Sequence, residues 1–168
     1  EEHPTTSQVT PAAWAEAMEE VTRDGDTAVV ITLSSKLSGT YQSACIAAED
    51  FEGKVFVVDS MTATIGERLL LEYGISLARE GLDAATIAGR LDAVKDKIRL
   101  YARLDTLEYL KKGGRISAAT AVVGSMLNIK PIIAVQDGVV ENVGKARGPK
   151  AADKQLRDLV AKSGSIDF

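Results

Sequence analysis

Two short runs of β-branched and apolar residues, each followed by a hydroxyl-rich loop and a helical pattern, constrain the fold of this chain more than any other feature. Residues 27–33 read TAVVITL and residues 54–59 read KVFVVD. Runs with so little polar alternation are typical of strands that are buried on both faces of a parallel sheet. Two strand–loop–helix units in succession therefore predict a right-handed βαβ arrangement.

Helices are predicted on either side of these strands. Apolar residues at helical spacing indicate a first helix over residues 10–24, with Thr10 as its N-cap and Pro11 in its first turn. The next two helices follow the two strands, and the second of them is expected to end near Arg79. This alternation is typical of an α/β domain.

After Gly81 the pattern changes to a mixture of helices and hairpin strands. Helices are predicted at 83–97, before Gly113, near 118–126 and from Pro149, with strands at 98–104, 129–135 and 139–145. The fold class is therefore α/β, a parallel-sheet βαβ domain followed by a smaller α+β domain, with a ligand cleft expected between them. We predict domains at 1–81, lacking its first strands, and 82–168, lacking its C-terminal part.

Charge is distributed unevenly along the chain. Residues 1–98 carry 8 basic and 17 acidic side chains, net −9, whereas residues 99–150 carry 9 basic and 4 acidic ones, net +5. This asymmetry indicates an acidic subdomain and a basic face. The basic face lacks interleaved aromatic residues and any nucleic-acid motif, so an anionic ligand or an acidic protein partner is favoured and nucleic acid is not expected.

Several classes of function are excluded by composition. Cys45 and His3 are the only residues of their kinds, so a disulfide within the chain, a cysteine-rich metal site and a histidine cluster are excluded. No apolar run reaches the roughly 18 residues of a membrane span, and the first residues are acidic. We expect a cytoplasmic protein without a metal, a cofactor or catalytic residues.

Hydroxyl-rich loops are expected at the carboxyl edge of the parallel sheet, where open α/β sheets bind ligands. Because each loop enters a helix, its hydroxyls and free backbone N–H groups form an anion site with neutral donors. Such a site suits one carboxylate or an occasional phosphate, although Ser and Thr residues before helices also serve simply as N-caps. The loops are 5–7, 34–40 and the residues Ser60, Thr62 and Thr64.

Asp59 and Asp105 stand at the ends of predicted strands. For both carboxylates, capping or ion pairing is favoured over acid–base chemistry.

A basic turn, Lys111-Lys112-Gly113-Gly114-Arg115, begins with the two lysines that end the short helix of the second half. The helix dipole accounts for lysines at a helix C-terminus. It does not account for Arg115, whose planar guanidinium favours a carboxylate, a phosphate or an acidic side chain of a partner. We therefore predict a partner-binding surface at Arg115 and Lys112, with bracing between the domains as the alternative role of Arg115.

These segments, taken in order, resemble the DegV family of bacterial fatty-acid-binding proteins. The resemblance covers essentially the whole chain and implies a two-domain α/β fold with one long-chain fatty acid buried between the domains. It also implies a separate fatty-acid kinase, to which the bound acid is presented for acyl phosphate formation. The matching segments are PTTSQ at 4–8, SKLSGTYQSA at 35–44, VDS at 58–60, LEYLKKGGRIS at 107–117, LNIKPII at 127–133 and Asp137-Gly138.

The resemblance assigns the carboxylate ligands to Thr6 and Ser38. Supporting roles in the same loops are expected for Ser7, Ser35, Gly39, Thr40 and Ser60.

The chain departs from the family pattern in two ways. Val9 stands where the family usually has a proline, a minor change because Pro11 can still start the helix. A histidine near the C-terminus of family members helps to hold the carboxylate, whereas this chain stops at Phe168 and its single histidine, His3, precedes the first motif. Members of the family that the chain resembles run longer at both ends, so the chain is expected to be truncated at both ends.

The predicted function is fatty-acid binding and presentation, not catalysis. An apolar tunnel suits an acyl chain, since each buried CH₂ contributes about 0.8 kcal/mol and polar groups need to fix only one end. The expected partners are a long-chain fatty acid and a fatty-acid kinase, with transient membrane contact allowed for lipid loading. The alternatives are an enzyme that acts on a small phosphate ester or carboxylate through the same loops, and an interaction module that uses the basic face.

Overall fold

The computed structural model describes residues 5–116 and 128–164 of the chain. Within it the chain divides into two compact units between Ile98 and Arg99. The first unit is an α/β fold around a parallel sheet, and the second is an α+β fold around an antiparallel sheet. The predicted fold class, a parallel-sheet α/β domain followed by an α+β domain, is thereby confirmed, while the ligand cleft stays a prediction. The helix predicted near 118–126 lies outside the described residues.

The first unit follows the predicted strand–loop–helix order. Its two strands pair in parallel, with Thr32 opposite Asp59 at their carboxyl ends. Helix α1 starts as predicted, because the Thr10 hydroxyl accepts a hydrogen bond from the Ala13 N–H and Pro11 occupies the first turn. The elements are α1 (Pro11–Thr22), β1 (Ala28–Thr32), α2 (Thr40–Ala48), β2 (Val55–Asp59), α3 (Ile65–Arg79) and α4 (Ala84–Val94), with 3₁₀ turns at Glu49–Phe51 and Lys95–Lys97.

Helices cover both faces of the parallel sheet, because successive side chains of a strand point to opposite faces. Val58 packs on one face with Leu70, Leu77 and Leu91 of α3 and α4. Val55, three residues earlier, packs on the other face. Its neighbours from α1 and α2 are Met18, Ala44 and Ala47. The near-continuous apolar runs of the two strands are thus covered by helices on both faces, as predicted, although most β1 residues are only partly buried.

The second unit is a three-stranded antiparallel sheet in the order β3-β4-β5, with α6 in contact with all three strands. The hairpin turn is the predicted Asp137-Gly138, and both residues have positive φ, as the tight turns of type I′ require. Ile132 and Ala152 are fully buried in this unit. Its elements are β3 (Leu100–Arg103), α5 (Glu108–Lys112), β4 (Ile129–Gln136), β5 (Val139–Arg147) and α6 (Pro149–Lys162).

The boundary between the units is a correction to the sequence analysis, which placed it after residue 81. Helix α4 belongs to the first unit, because it contacts β1, β2 and α3. Its Ile87 and Leu91 are buried in the same cluster as Val58 of β2. The change of pattern after Gly81 is therefore a turn between two helices on one face of the sheet.

Candidate functional site

The candidate site lies at the carboxyl edge of the parallel sheet, where the loops after β1 and β2 are joined by backbone hydrogen bonds. Ser34 N–H donates to the Thr62 carbonyl at 2.8 Å, and Ser60 N–H donates to the Thr32 carbonyl at 3.1 Å. Since Thr32 and Asp59 are paired in the sheet, both loops leave the strands at the same level. The two loops form one connected surface.

A single carboxylate oxygen links these loops further. Asp59 Oδ1 accepts hydrogen bonds from Ser35 N–H at 3.2 Å and from Met61 N–H at 3.0 Å. The Asp59 residue is only 8% exposed. The capping role favoured for Asp59 by the sequence is therefore confirmed. Asp105 has the other favoured role, since it accepts from Lys130 Nζ at 2.6 Å, a bond that lowers the pKa of the Asp105 carboxyl.

Several hydroxyls of the loops are buried and serve the loops themselves. Ser34 Oγ accepts from Lys36 N–H at 3.2 Å. Ser60, which is fully buried, accepts from Thr62 N–H at 3.2 Å and donates to the Thr62 carbonyl at 3.3 Å. Thr62 packs against α3 at Gly66, where a Cβ atom would lie 2.3 Å from Thr62 Oγ1. The Ser34 and Ser60 hydroxyls therefore brace their own loops.

A hydroxyl pair stands at the start of α2. Ser38 Oγ and Thr40 Oγ1 are 2.9 Å apart, and Thr40 N–H donates to Ser38 Oγ at 3.2 Å. Gly39 is the N-cap of α2 and provides no side chain to cap the helix. The N–H groups and the positive dipole end of α2 therefore lie beside two neutral hydroxyls, an arrangement that can hold an anion.

The segment that contains Thr6, Gln8 and Val9 is hydrogen-bonded to this same helix start. Val9 N–H donates to Thr40 Oγ1 at 3.4 Å, and Gln8 Nε2 donates to Ser43 Oγ at 3.1 Å. The Gln8 side chain covers Gly39 so closely that a Cβ atom there would lie 1.9 Å from Gln8 Oε1. Thr6, an exposed residue, stands two positions before Gln8. The structure thus brings the segments of the two predicted carboxylate ligands together.

Gln8 is a site residue that sequence reasoning missed. Its partners, Gly39 and Ser43, are more than thirty positions away, and no local pattern connects a glutamine in one loop with a glycine at the start of a distant helix. We call the loops after β1 and β2, together with the segment of Gln8 and Val9 bonded to them, the hydroxyl cluster. Of the predicted supporting residues, Gly39 and Thr40 lie where α2 starts in this cluster, Ser35 takes part through its N–H, Ser60 braces its own loop and Ser7 is exposed.

The predicted partner surface lies in the second unit, and it is charged and exposed. Lys112 Nζ is 2.6 Å from Glu108 Oε1, one helical turn earlier, and this bond raises the pKa of the Lys112 amine. Arg115 is exposed, and its guanidinium donates to the Gly113 carbonyl. Gly114, with a φ of 71°, makes the turn that ends α5 and directs the chain into Arg115.

A separate apolar recess of about 280 Å³ lies between β1, α3 and α4 of the first unit. Thr27 and Asp83 contribute to its lining, so it reaches the end of β1 opposite to the hydroxyl loops. It is distinct from the hydroxyl cluster. The side chains of β1, α3 and α4 that line it include Val29, Ile31, Leu71, Ile75, Ile87 and Leu91.

Two further findings concern the described residues only. They contain no group of three or more His, Cys, Asp or Glu side chains that could hold a metal ion. None of their helices is long and apolar enough to cross a membrane.

Comparison with known proteins places this architecture among proteins of one family. A family model described as "Uncharacterised protein, DegV family" matches residues 1–166. A DegV domain-containing protein of Caldanaerobacter subterraneus is 36% identical over 166 residues, which cover 98% of this chain and 59% of that protein. The chain therefore spans a little under three fifths of the length of this relative.

Solved structures agree with the sequence comparison. A DegV family protein of Thermus thermophilus, described as binding fatty acid, superposes with a TM-score of 0.86 at 35% identity over 96% of this chain and 58% of its own. The fatty acid kinase B3 protein of Streptococcus pneumoniae, loaded with linoleic acid, gives 0.83 at 27% identity over 94% of this chain and 57% of its own. The match of sequence and fold over almost all of its residues means that this chain belongs to the DegV family.

Proposed function

We propose that this chain binds a long-chain fatty acid, with the carboxylate held by the hydroxyls of Thr6 and Ser38. The observation that carries the proposal is the convergence of these two segments at the start of α2, where Gln8 and Val9 fasten the first to the second. The bound linoleic acid of the Streptococcus pneumoniae protein and the fatty-acid binding of the Thermus thermophilus protein support it.

The chemistry of the cluster suits a carboxylate. Its donors are hydroxyl and backbone N–H groups, which stabilise an anion without a counterion when a helix dipole adds its positive end. The acyl chain supplies most of the affinity, at about 0.8 kcal/mol for each buried CH₂, so the polar head has only to orient the molecule. An apolar tunnel for that chain is part of the proposal.

Presentation of the acid to a fatty-acid kinase is the second part of the proposal. The kinase name of the Streptococcus pneumoniae neighbour supports it. The basic residues Lys112 and Arg115 are exposed in the second unit, where they can meet acidic side chains of a partner. In this proposal the kinase carries out the phosphoryl transfer, and this chain contributes the bound acid.

The test is a double substitution, Thr6→Ala with Ser38→Ala, measured by titration with palmitic acid. We expect a loss of about 2–4 kcal/mol in binding free energy, because hydrogen bonds to a charged acceptor contribute ~1.5–3 kcal/mol each and are not additive. Ser76→Ala is the matched control, since it removes a hydroxyl on α3 that donates only to the carbonyl of Tyr73.

The control variant should bind palmitic acid as the original chain does. Unchanged affinity in the double variant would disprove the carboxylate assignment. Binding of small phosphate esters in preference to palmitic acid would instead support the enzymatic alternative that uses the same loops.

A further inference from the structure

The hydrogen bonds between Ser38 and Thr40 determine the direction in which the Ser38 hydroxyl proton points. A serine hydroxyl has one proton to donate and two lone pairs that accept. Thr40 N–H already donates to Ser38 Oγ at 3.2 Å, and the two hydroxyl oxygens are 2.9 Å apart. The direction of the hydroxyl–hydroxyl bond therefore decides what Ser38 can offer to a ligand.

Two arrangements of the protons are conceivable, and the surroundings favour one of them. Thr40 is only 8% exposed, whereas Ser38 is half-buried and has access to solvent. If Ser38 donated to Thr40, the Thr40 proton would be left over inside the protein, where an unpaired donor is costly. Val9 N–H, which donates to Thr40 Oγ1 at 3.4 Å, already occupies one lone pair of that oxygen.

We propose that Thr40 is a positioning residue that makes Ser38 an obligate hydrogen-bond donor and so gives the site its selectivity for acceptor head groups. In this arrangement Thr40 fills both lone pairs of Ser38 Oγ, one through its N–H and one through its hydroxyl. Only the Ser38 proton is left for a ligand, and the bonds already accepted strengthen it as a donor. The inference rests on the proposed fatty-acid site and specifies how that site discriminates.

The consequence is selectivity between head groups of equal chain length. A carboxylate can only accept hydrogen bonds, whereas an alkylammonium can only donate them. The carboxylate of palmitic acid can therefore accept a hydrogen bond from Ser38. The ammonium group of hexadecylamine cannot donate to Ser38 Oγ, because both lone pairs of that oxygen are already occupied. The ratio of the two dissociation constants measures this selectivity, while contributions of the acyl chain cancel.

The test uses Thr40→Val, which keeps the branched shape and removes the hydroxyl. In this variant Ser38 regains a free lone pair, so we expect palmitic acid to bind more weakly, hexadecylamine to gain relative to it, and the ratio to change roughly tenfold. Thr40→Ser keeps the hydroxyl and should keep the original ratio. Thr40→Ala, which removes the hydroxyl without adding a methyl group next to Ser38, should repeat the result of Thr40→Val.

The Ser38→Ala background separates a positioning role from a merely structural one. There, Thr40→Val should leave the ratio unchanged, because the hydroxyl that Thr40 orients is gone. A ratio that stays constant in both Thr40→Val and Thr40→Ala, with Ser38 in place, would overturn the inference. The proposed function fails by a different result, namely unchanged palmitic acid affinity in the Thr6→Ala and Ser38→Ala double variant.

Discussion

The hydroxyl cluster of the first unit and the basic turn of the second unit are both candidate binding surfaces, but they are built in opposite ways. The cluster uses neutral groups that are held by backbone hydrogen bonds, as at Ser34 and Ser60, which are fully buried. The turn uses charged groups on the surface, and Lys112 and Glu108 are each about half exposed in their ion pair.

The two surfaces are therefore suited to different kinds of binding. Buried hydroxyls that are already bonded lose little freedom when a ligand arrives, so the cluster is suited to fix one atom group in one orientation. Exposed charges are screened by salt beyond about 8 Å at physiological ionic strength, and they contribute more to the rate and orientation of encounter than to affinity. Substitutions should accordingly affect the fold in the first region and association in the second.

The largest expected effect is on the Asp59 bridge. Asp59→Ala removes the acceptor for the N–H groups of Ser35 and Met61, and we expect a loss of about 2–4 kcal/mol in the free energy of unfolding, measured by chemical denaturation. Asp59→Asn should cost much less, because both bonds go to Oδ1, which an amide oxygen can replace. Asp105→Ala is the control from the second unit, and its effect should be small because that carboxyl is exposed.

If the Asp59→Ala variant were as stable as the Asp105→Ala variant, the claim that only the first region depends on buried hydrogen bonds for its stability would be wrong.

A smaller effect is expected from Gly39→Ala. The new methyl group would displace the Gln8 side chain, so the Gln8–Ser43 bond is lost, with a cost of about 1 kcal/mol in stability and a several-fold weaker affinity for palmitic acid. The displaced atoms belong to the flexible end of a side chain, which limits the cost. Gly89→Ala in α4 is the matched control, because a Cβ atom there meets open space.

A variant that combines Gly39→Ala with Gln8→Ala tests whether the two substitutions act through the same contact. The two substitutions remove the same contact, so the double variant should be no worse than Gln8→Ala alone. Additive losses would mean that Gly39 acts through something other than Gln8.

The smallest effect on the fold is expected from Arg115→Ala. Melting temperature and palmitic acid affinity should stay within error of the original chain, while the rate of phosphorylation of the bound acid by a fatty-acid kinase falls several-fold. The fall should shrink as salt is raised, as for an electrostatic docking surface. Arg68→Ala is the matched control, since it removes another exposed arginine, one paired with Glu72 at 2.8 Å on α3.

Full phosphorylation by the Arg115→Ala variant would remove this residue from the docking surface. A joint fall of melting temperature and phosphorylation would assign it a bracing role instead.

Much of the fold could be predicted from the sequence because its signals are local. The β-branched run at 27–33 predicts β1, Thr10 and Pro11 predict the start of α1, and the Asp137-Gly138 pair predicts the hairpin. The boundary after residue 81 was wrong because a turn between helices and a turn between domains have the same local composition. Only the packing of Ile87 and Leu91 against the sheet decides that question.

The candidate site could be predicted less completely. Local pattern identified the hydroxyl loops, and family resemblance identified Thr6 and Ser38 within them. Neither could predict that Gln8 covers Gly39 or that one oxygen of Asp59 joins two loops, because these contacts connect residues that are 24 or more positions apart. The carboxylate roles of Thr6 and Ser38 remain predictions.

The pairing of Thr32 with Asp59 at the ends of β1 and β2 has a consequence for the way the site is assembled. A slip of β2 by one residue would move its loop by about 3.3 Å and turn every side chain of the strand to the opposite face. The alignment of the hydroxyls is thus decided during chain folding, when two strands separated by a full helix first find each other, a slow kind of event because the contact is non-local. Competence to bind should appear only once that alignment is complete, so that ligand capture during refolding reports the moment at which the parallel sheet is correctly registered.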